Sequence, residues 1–314
     1  MDRRVICVVG PTACGKTRLG VLLAQRYGGE VVSCDSMQIY RGMTIGTAAA
    51  VPEEMEGVPH HMIGVADPAE SWSAARFVQA AAPVVEDILA RGKRPVLVGG
   101  TGLWLDALLR GHDFAPGAAG GAVRAELEEE LARGGIAPLL EELGRVDPES
   151  ARRLHPADEK RILRALEVYR QTGQTISAHN AAERALPPRF GSVKLGLRFA
   201  DREDMKALID RRVDAMAAAG LLDEVRALLE RDPPPGATAL QAIGYKELAG
   251  VLTGEKTLPQ ALEEVKLRSR QYAKRQLTWL RRDPAVHWIE WEKNRDFARA
   301  MQISTEILSA EGLS

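Results

Sequence analysis

The chain has 314 residues, 45% hydrophobic and 27% charged, with a formal net charge of −1. That length admits two domains, or one large domain with an insertion, and the composition is that of an ordinary soluble globular protein. A near-neutral balance excludes a global field for nucleic acid, so any basic surface has to be local. Cys7, Cys14 and Cys34 are too few and too spread for a disulfide framework or a four-ligand zinc site. No apolar run approaches membrane-spanning length, and the first is too short for a signal segment, so a reduced cytoplasmic compartment is expected.

The first element is a buried parallel strand, Val5-Ile6-Cys7-Val8-Val9, apolar throughout and rich in β-branched side chains. Gly10-Pro11-Thr12-Ala13-Cys14-Gly15-Lys16-Thr17 follows and fits the phosphate-loop pattern G-x-x-x-x-G-K-[ST] at every fixed position. Its glycines let backbone approach an anion, its amides form a nest at a helix start over 18–27, Lys16 adds charge, and the Thr17 hydroxyl is placed for Mg²⁺. The loop is therefore expected to bind a diphosphate or triphosphate.

A second strand over 30–34 ends at Asp35-Ser36-Met37-Gln38, where ligands of open α/β sheets lie. Asp35 reads as a metal ligand, a general base or a plain helix cap. The Gln38 carboxamide can pair with an adenine edge. Residues 52–68, with Pro52, Gly57, Pro59, His60, His61 and Pro68, read as a loop; the adjacent histidines point opposite ways in extended chain and are taken as structural. A helix over 74–90 precedes a strand over 94–98. Gly99-Gly100-Thr101-Gly102 then opens a helix over 103–109, with Thr101 either a cap or a hydrogen-bonding group for a reacting atom. This alternation predicts an α/β fold, a phosphate-loop parallel sheet, formed by 1–112 and 191–314 with C-terminal helices.

Residues 113–190 read as a mostly helical insertion behind the flexible stretch 117–121. Val123, Leu127 and Leu131 make one apolar stripe, with the acidic run 126–130 as a solvated face. Ile162, Leu166 and Tyr169 make another, leaving Lys160, Arg161 and Arg164 off it. Strand signal returns at 192–199, then helices over 202–219 and 221–230, a break at 233–236, helices over 239–252 and 258–282, and a strand over 286–291. Residues 266–282 hold seven basic residues and no acidic one, with Lys266, Arg270 and Lys274 spaced on one helix face. Such clustering is a footprint for phosphate backbone, the competing reading being a helix ion-paired inside the protein.

Together these residues resemble the tRNA dimethylallyltransferase (tRNA isopentenyl transferase) family. The resemblance rests on the phosphate loop (with Cys14 where Ser is commoner), on Asp35-Ser36-Met37-Gln38-Ile39-Tyr40-Arg41, and on Gly99-Gly100-Thr101-Gly102-Leu103-Trp104. Further matches are residues 160–167, Arg211-Arg212-Val213, Gln241-Ala242-Ile243-Gly244-Tyr245 and 275–281. It implies transfer of a dimethylallyl group from its diphosphate to N6 of the adenosine 3′ of a tRNA anticodon. The donor's diphosphate would sit on residues 10–17 and Arg212, with Mg²⁺ on Thr17, and Asp35, Thr101 and Lys16 would be catalytic. The tRNA would meet Asp35, Ser36, Met37, Gln38 and Thr101 at the base, and Arg124, Lys160, Arg161, Arg164, Gln241, Gly244, Tyr245, Lys266, Arg270 and Lys274 elsewhere. A monomer is the expected state. A phosphate-loop kinase, a prenyltransferase acting on a free adenine nucleotide and an RNA-binding module remain as alternatives.

Overall fold

The structure, a computed structural model, describes residues 4–111, 121–234 and 237–313. The expected flexible stretch at 117–120, and Pro235 and Gly236 of the expected break, lie outside the described residues. Along the chain, β1 (Val5–Val9), α1 (Lys16–Arg26), β2 (Gly29–Ser33), α2 (Pro52–Met55), β3 (His60–His61), α3 (Ala74–Ala90), β4 (Arg94–Gly99) and α4 (Gly102–Arg110) come first. Five helices follow: α5 (Ala122–Gly134), α6 (Ile136–Val146), α7 (Pro148–Arg153), α8 (Glu159–Thr172) and α9 (Ile176–Ala185). The chain then forms β5 (Ser192–Phe199), α10 (Arg202–Ala218), α11 (Leu221–Leu229), a 3-10 turn (Thr238–Gln241), α12 (Tyr245–Leu252), α13 (Leu258–Leu280), β6 (Val286–Trp291) and α14 (Phe297–Ala310).

The strands pair in the order β3-β2-β4-β1-β5-β6, every pair parallel. β1 lies inside the sheet between β4 and β5, and all five of its side chains are buried on the two sheet faces, which is why it reads as an unbroken apolar run. β1, β2 and β4 are adjacent, so the three turns leaving their carboxyl ends share one edge of the sheet. The chain divides into two compact units, one made of Met1–Gly111 with Arg189–Ser314 and the other of His112–Pro188. The second unit packs around Leu127, Leu139, Leu143, Ile162, Leu163 and Leu166. Within it, Arg170 bridges Glu130 and Glu142, so the acidic run expected to be solvated is in part tied down.

Two expectations need correction, and one helix was not expected. Residues 52–68 hold α2, begun by Pro52 where a missing amide costs nothing, and β3, which extends the sheet by pairing Val31 with His60. His60 Nδ1 faces Val58 O at 2.8 Å and His61 Nε2 faces Glu30 Oε2 at 2.8 Å; no group of three metal-ligating side chains occurs among the described residues. The helix expected over 239–252 is broken, because Gly244 takes a φ of 99° that ends the 3-10 turn and starts α12. Helix α14 was unread: Asp296 caps it through Arg299 N, and Ala300, Ser304 and Leu308 form its buried stripe. Among the described residues no helix is long and apolar enough to cross a membrane.

Candidate active site

The phosphate loop closes on itself between β1 and α1. Gly15 has a φ of 92°, and a Cβ there would meet the Phe297 ring at 2.9 Å, so glycine is required on both counts. Ala13 also takes a left-handed φ of 63°, a strained alternation that turns successive amides into a nest. Lys16 Nζ donates to Pro11 O at 2.7 Å. Cys14 is buried, which pushes its thiol pKa up and keeps it a neutral packing group.

Two later segments brace the loop. Gln276, buried on α13, accepts from Thr12 N at 2.8 Å and donates to Gly100 O at 3.0 Å, stapling the phosphate loop to the turn after β4. Trp291 Nε1, at the end of β6, donates to Cys14 O at 2.8 Å, and Arg295 reaches Ala13 O at 3.5 Å. Sequence reasoning missed all three roles. Gln276 carried a signal, a carboxamide between the buried positions Ala273 and Leu280 of one helix; Arg295 lay in the unread tail and carried none.

Beyond β2, Asp35 Oδ1 accepts from Met37 N at 2.9 Å, an Asx turn that fixes the carboxylate and leaves its second oxygen without a protein donor among the described residues. Thr101 makes no side-chain cap on α4; its hydroxyl accepts from Ser36 N at 3.1 Å, tying the turn after β4 to the Asp35 turn. Tyr272 on α13 lies beside them, and burial together with the Asp35 charge pushes its phenol pKa up.

The phosphate loop, the Asp35 turn, Tyr272, Gln276 and Arg295 line a cavity of about 710 Å³, whereas Thr101, Gly10, Pro11 and Cys14 are not among its lining residues. Six basic side chains line it (Lys16, Arg18, Arg211, Arg212, Arg275 and Arg295) against two acidic ones, Asp35 and Glu54. Arg18 is ion-paired to Glu56. Arg212, from α10, has neither a hydrogen bond nor an ion pair among the described residues, and its burial holds the guanidinium pKa below its ordinary value. A half-buried cation with no hydrogen-bonded partner is costly, and an anion in the cavity would lower that cost. The same face of α10 also contributes Leu208, Ile209, Val213 and Met216, an apolar wall.

Of the expected site residues, the cavity gathers Thr12, Ala13, Gly15, Lys16, Thr17, Asp35, Ser36, Met37, Gln38, Arg212, Gln241 and Gly244. Arg124, Lys160, Arg161 and Arg164 belong to the other unit, where Arg124 pairs with Glu128, Arg161 with Asp158 and Arg164 with Glu167. Three residues expected to face RNA have partners within the protein. Tyr245 is 2% exposed, its hydroxyl on Glu224 Oε1 at 2.5 Å. Lys266 Nζ lies 2.8 Å from Asp214, and Arg270 lies 2.7 Å from Asp210, both on α10, so those charges are neutralised within the protein. Only Lys274 of the three-residue face is exposed and without an ion pair among the described residues.

A phosphate-loop strand-turn-helix on a parallel sheet, with unpaired cations over its cavity, defines a phosphate-binding α/β enzyme. The comparisons narrow the class. A model described as IPP transferase matches residues 38–283, and one described as isopentenyl transferase matches residues 3–64. A tRNA dimethylallyltransferase of Symbiobacterium thermophilum is 49% identical over 290 residues, covering 92% of this chain and 90% of that one. One from Geobacter sulfurreducens is 45% identical, covering 93% and 94%. Among solved structures, the tRNA isopentenylpyrophosphate transferase of Bacillus halodurans has a TM-score of 0.73 at 40% identity, covering 98% of this chain and 96% of that one. A eukaryotic dimethylallyltransferase described as acting on tRNA has a TM-score of 0.84 at 30% identity, covering 98% and 80%. The chain belongs to the IPP transferase family.

Proposed function

We propose that this protein is a tRNA dimethylallyltransferase that takes its prenyl group from dimethylallyl diphosphate, attaches it to N6 of the adenosine 3′-adjacent to the anticodon, and releases pyrophosphate. The observation that carries the reading is one cavity joining a phosphate loop, the unpaired Arg212, an apolar wall on α10 and the Asp35 carboxylate. An allylic diphosphate has one charged and one branched apolar part, and this lining matches both. A kinase has no use for the apolar wall beside its phosphates.

In the reaction the donor's C1–O bond breaks, its electron pair leaves with pyrophosphate, and a bond forms from N6 to C1. Lys16, the loop amides and Arg212 stabilise the charge collecting on the leaving group, which they hold without reorganising. The free oxygen of Asp35 takes the proton from N6, and Met37 N keeps that carboxylate in place. Thr101 orients the Asp35 turn through Ser36. Mg²⁺ fits the hard oxygen donor of Thr17, which with water and phosphate oxygens would hold it, and when bound it would add positive charge beside the diphosphate.

An adenine within an anticodon loop has to be flipped out to reach the cavity. Lys274, Arg275, Arg281 and Arg282, exposed along the end of α13, supply backbone contacts, as do Lys160 and Arg161 on the helical unit. The protein is taken to act as a cytoplasmic monomer. The test incubates it with labelled dimethylallyl diphosphate and an unmodified tRNA transcript. Label should enter the transcript, and should not enter one carrying guanosine at the target position. Label on free AMP with none on RNA would favour the nucleotide prenyltransferase.

A further inference from the structure

The loop after the Asp35 turn is pinned from outside by one side chain. Glu224, in the first turn of α11, accepts three consecutive backbone amides: Oε2 takes Thr44 N and Ile45 N, each at 2.8 Å, and Oε1 takes Gly46 N at 2.9 Å. Oε1 also accepts the Tyr245 hydroxyl at 2.5 Å. Gly46 has no Cβ because the Tyr245 ring would lie 2.5 Å from it. Two positions on, Ala48 takes a left-handed φ of 46°, a strained conformation that persists only where its surroundings fix it. Four hydrogen bonds on one carboxylate are such a constraint.

The inner side of this loop faces Gln38. Gln38 Nε2 donates to Thr47 O at 3.3 Å and to Ala48 O at 3.1 Å, while its Oε1 accepts from Ser33 Oγ at 2.9 Å. Carbonyl oxygens only accept, so the carboxamide cannot be reversed: that would set its oxygen against two others. With both amide hydrogens engaged, Gln38 offers the cavity acceptor capacity alone. At the 6-position adenine presents an amine donor, whereas a 6-oxo purine presents an acceptor.

We infer that Glu224 is a positioning residue for base selection: by anchoring residues 44–46 it places the Thr47 and Ala48 carbonyls that hold Gln38 as an acceptor for an exocyclic amine. This rests on the prenyltransferase reading above and adds to it the residue that sets the choice of base. The residue acts at a distance, from a helix that sequence patterning marks only as amphipathic.

The test is a competition assay with anticodon stem-loop RNAs carrying adenosine or inosine at the reacting position. Wild-type protein should prefer the adenosine form by about tenfold, the scale of one well-placed hydrogen bond set against a mismatched pair of acceptors. Glu224→Gln places an amide NH₂ against Gly46 N–H or against the Thr44 and Ile45 amides, so the loop loses its anchor and the preference should fall to near parity. Affinity for inorganic pyrophosphate should be unchanged. In a Gln38→Ala background, Glu224→Gln should add nothing further, because the two act through one contact. Tyr245→Phe removes one of the four bonds and should erode the preference partially, which keeps the test available if Glu224→Gln does not fold. A preference untouched by either variant, or equal losses with and without Gln38, overturns the proposal while leaving the prenyltransferase reading in place. Wild-type protein that binds neither stem-loop overturns both.

Discussion

Glu30, at the amino end of β2, and Asp35, just past its carboxyl end, are carboxylates five residues apart with opposite surroundings. Glu30 is 2% exposed and receives Arg91 at 2.5 Å, Lys93 at 2.7 Å and His61 at 2.8 Å. Those hydrogen bonds, Arg91's first, hold its carboxyl far below the usual carboxylate range despite its burial. Asp35 lines the cavity, has one oxygen fixed by a backbone amide, and forms no ion pair among the described residues. The contrast repeats in the cations: Arg91 and Lys93 are ion-paired, whereas Arg212 is half-buried in the cavity wall and has no ion pair among the described residues. Satisfied charge holds the sheet together, and unsatisfied charge marks where a ligand is received.

The largest effect should come from Asp35→Asn, which removes the proposed proton acceptor and should slow single-turnover prenyl transfer by about 10²–10⁴ while leaving donor and RNA affinities near wild type. Near-normal turnover would reduce Asp35 to a turn residue. Arg212→Ala should lower the transfer rate by about 10²–10³, by analogy with loss of one preorganised donor to a developing anion, and should weaken pyrophosphate binding measured by calorimetry. The protein should also become no less stable, because a partly desolvated charge with no hydrogen-bonded partner is removed; a lower melting temperature would mean that Arg212 has a structural partner.

Glu30→Gln should do the reverse, costing about 1–3 kcal/mol of stability with unchanged turnover per folded molecule. That is below the usual figure for a broken buried pair because Arg91 and Lys93 are themselves 38% and 45% exposed. The depressed Glu30 pKa makes this contribution complete above the unfolded carboxyl value, about 4.3, and lost as pH falls below it. Wild type and variant should therefore converge in acid-denaturation curves at low pH. The smallest effect separates two cations of α13. Lys274→Ala should make the salt dependence of RNA affinity shallower by up to about one unit of log–log slope, and Arg270→Ala should leave that slope unchanged while lowering stability.

Much of this arrangement is legible in sequence wherever a local pattern is sufficient. The apolar run of β1 and the spacing of the loop from Gly10 to Thr17 place the cradle, and the α3 bounds follow from composition alone. What escapes is set by tertiary partners. Lys266, Arg270 and Lys274 are equivalent by helical spacing, yet α10 places Asp214 and Asp210 against the first two. Tyr245 lies in a motif that resembles an RNA-binding one, but Glu224, 21 positions earlier, takes its hydroxyl inward. The bracing of the phosphate loop by Gln276, Trp291 and Arg295 is invisible for the same reason, because it joins segments with no sequence relation.

That bracing sets an order of events during synthesis. The residues of the phosphate loop are made well before their braces, since Gln276 reaches Thr12 across 264 positions and Trp291 reaches Cys14 across 277. Until those distant residues emerge, the strained Ala13 turn has neither staple, and β1 lacks its β5 neighbour. A nascent chain thus carries the complete loop motif well before the contacts that brace it can form. Contacts of such high sequence separation form late, so the braced loop is expected only once both distant segments have been made.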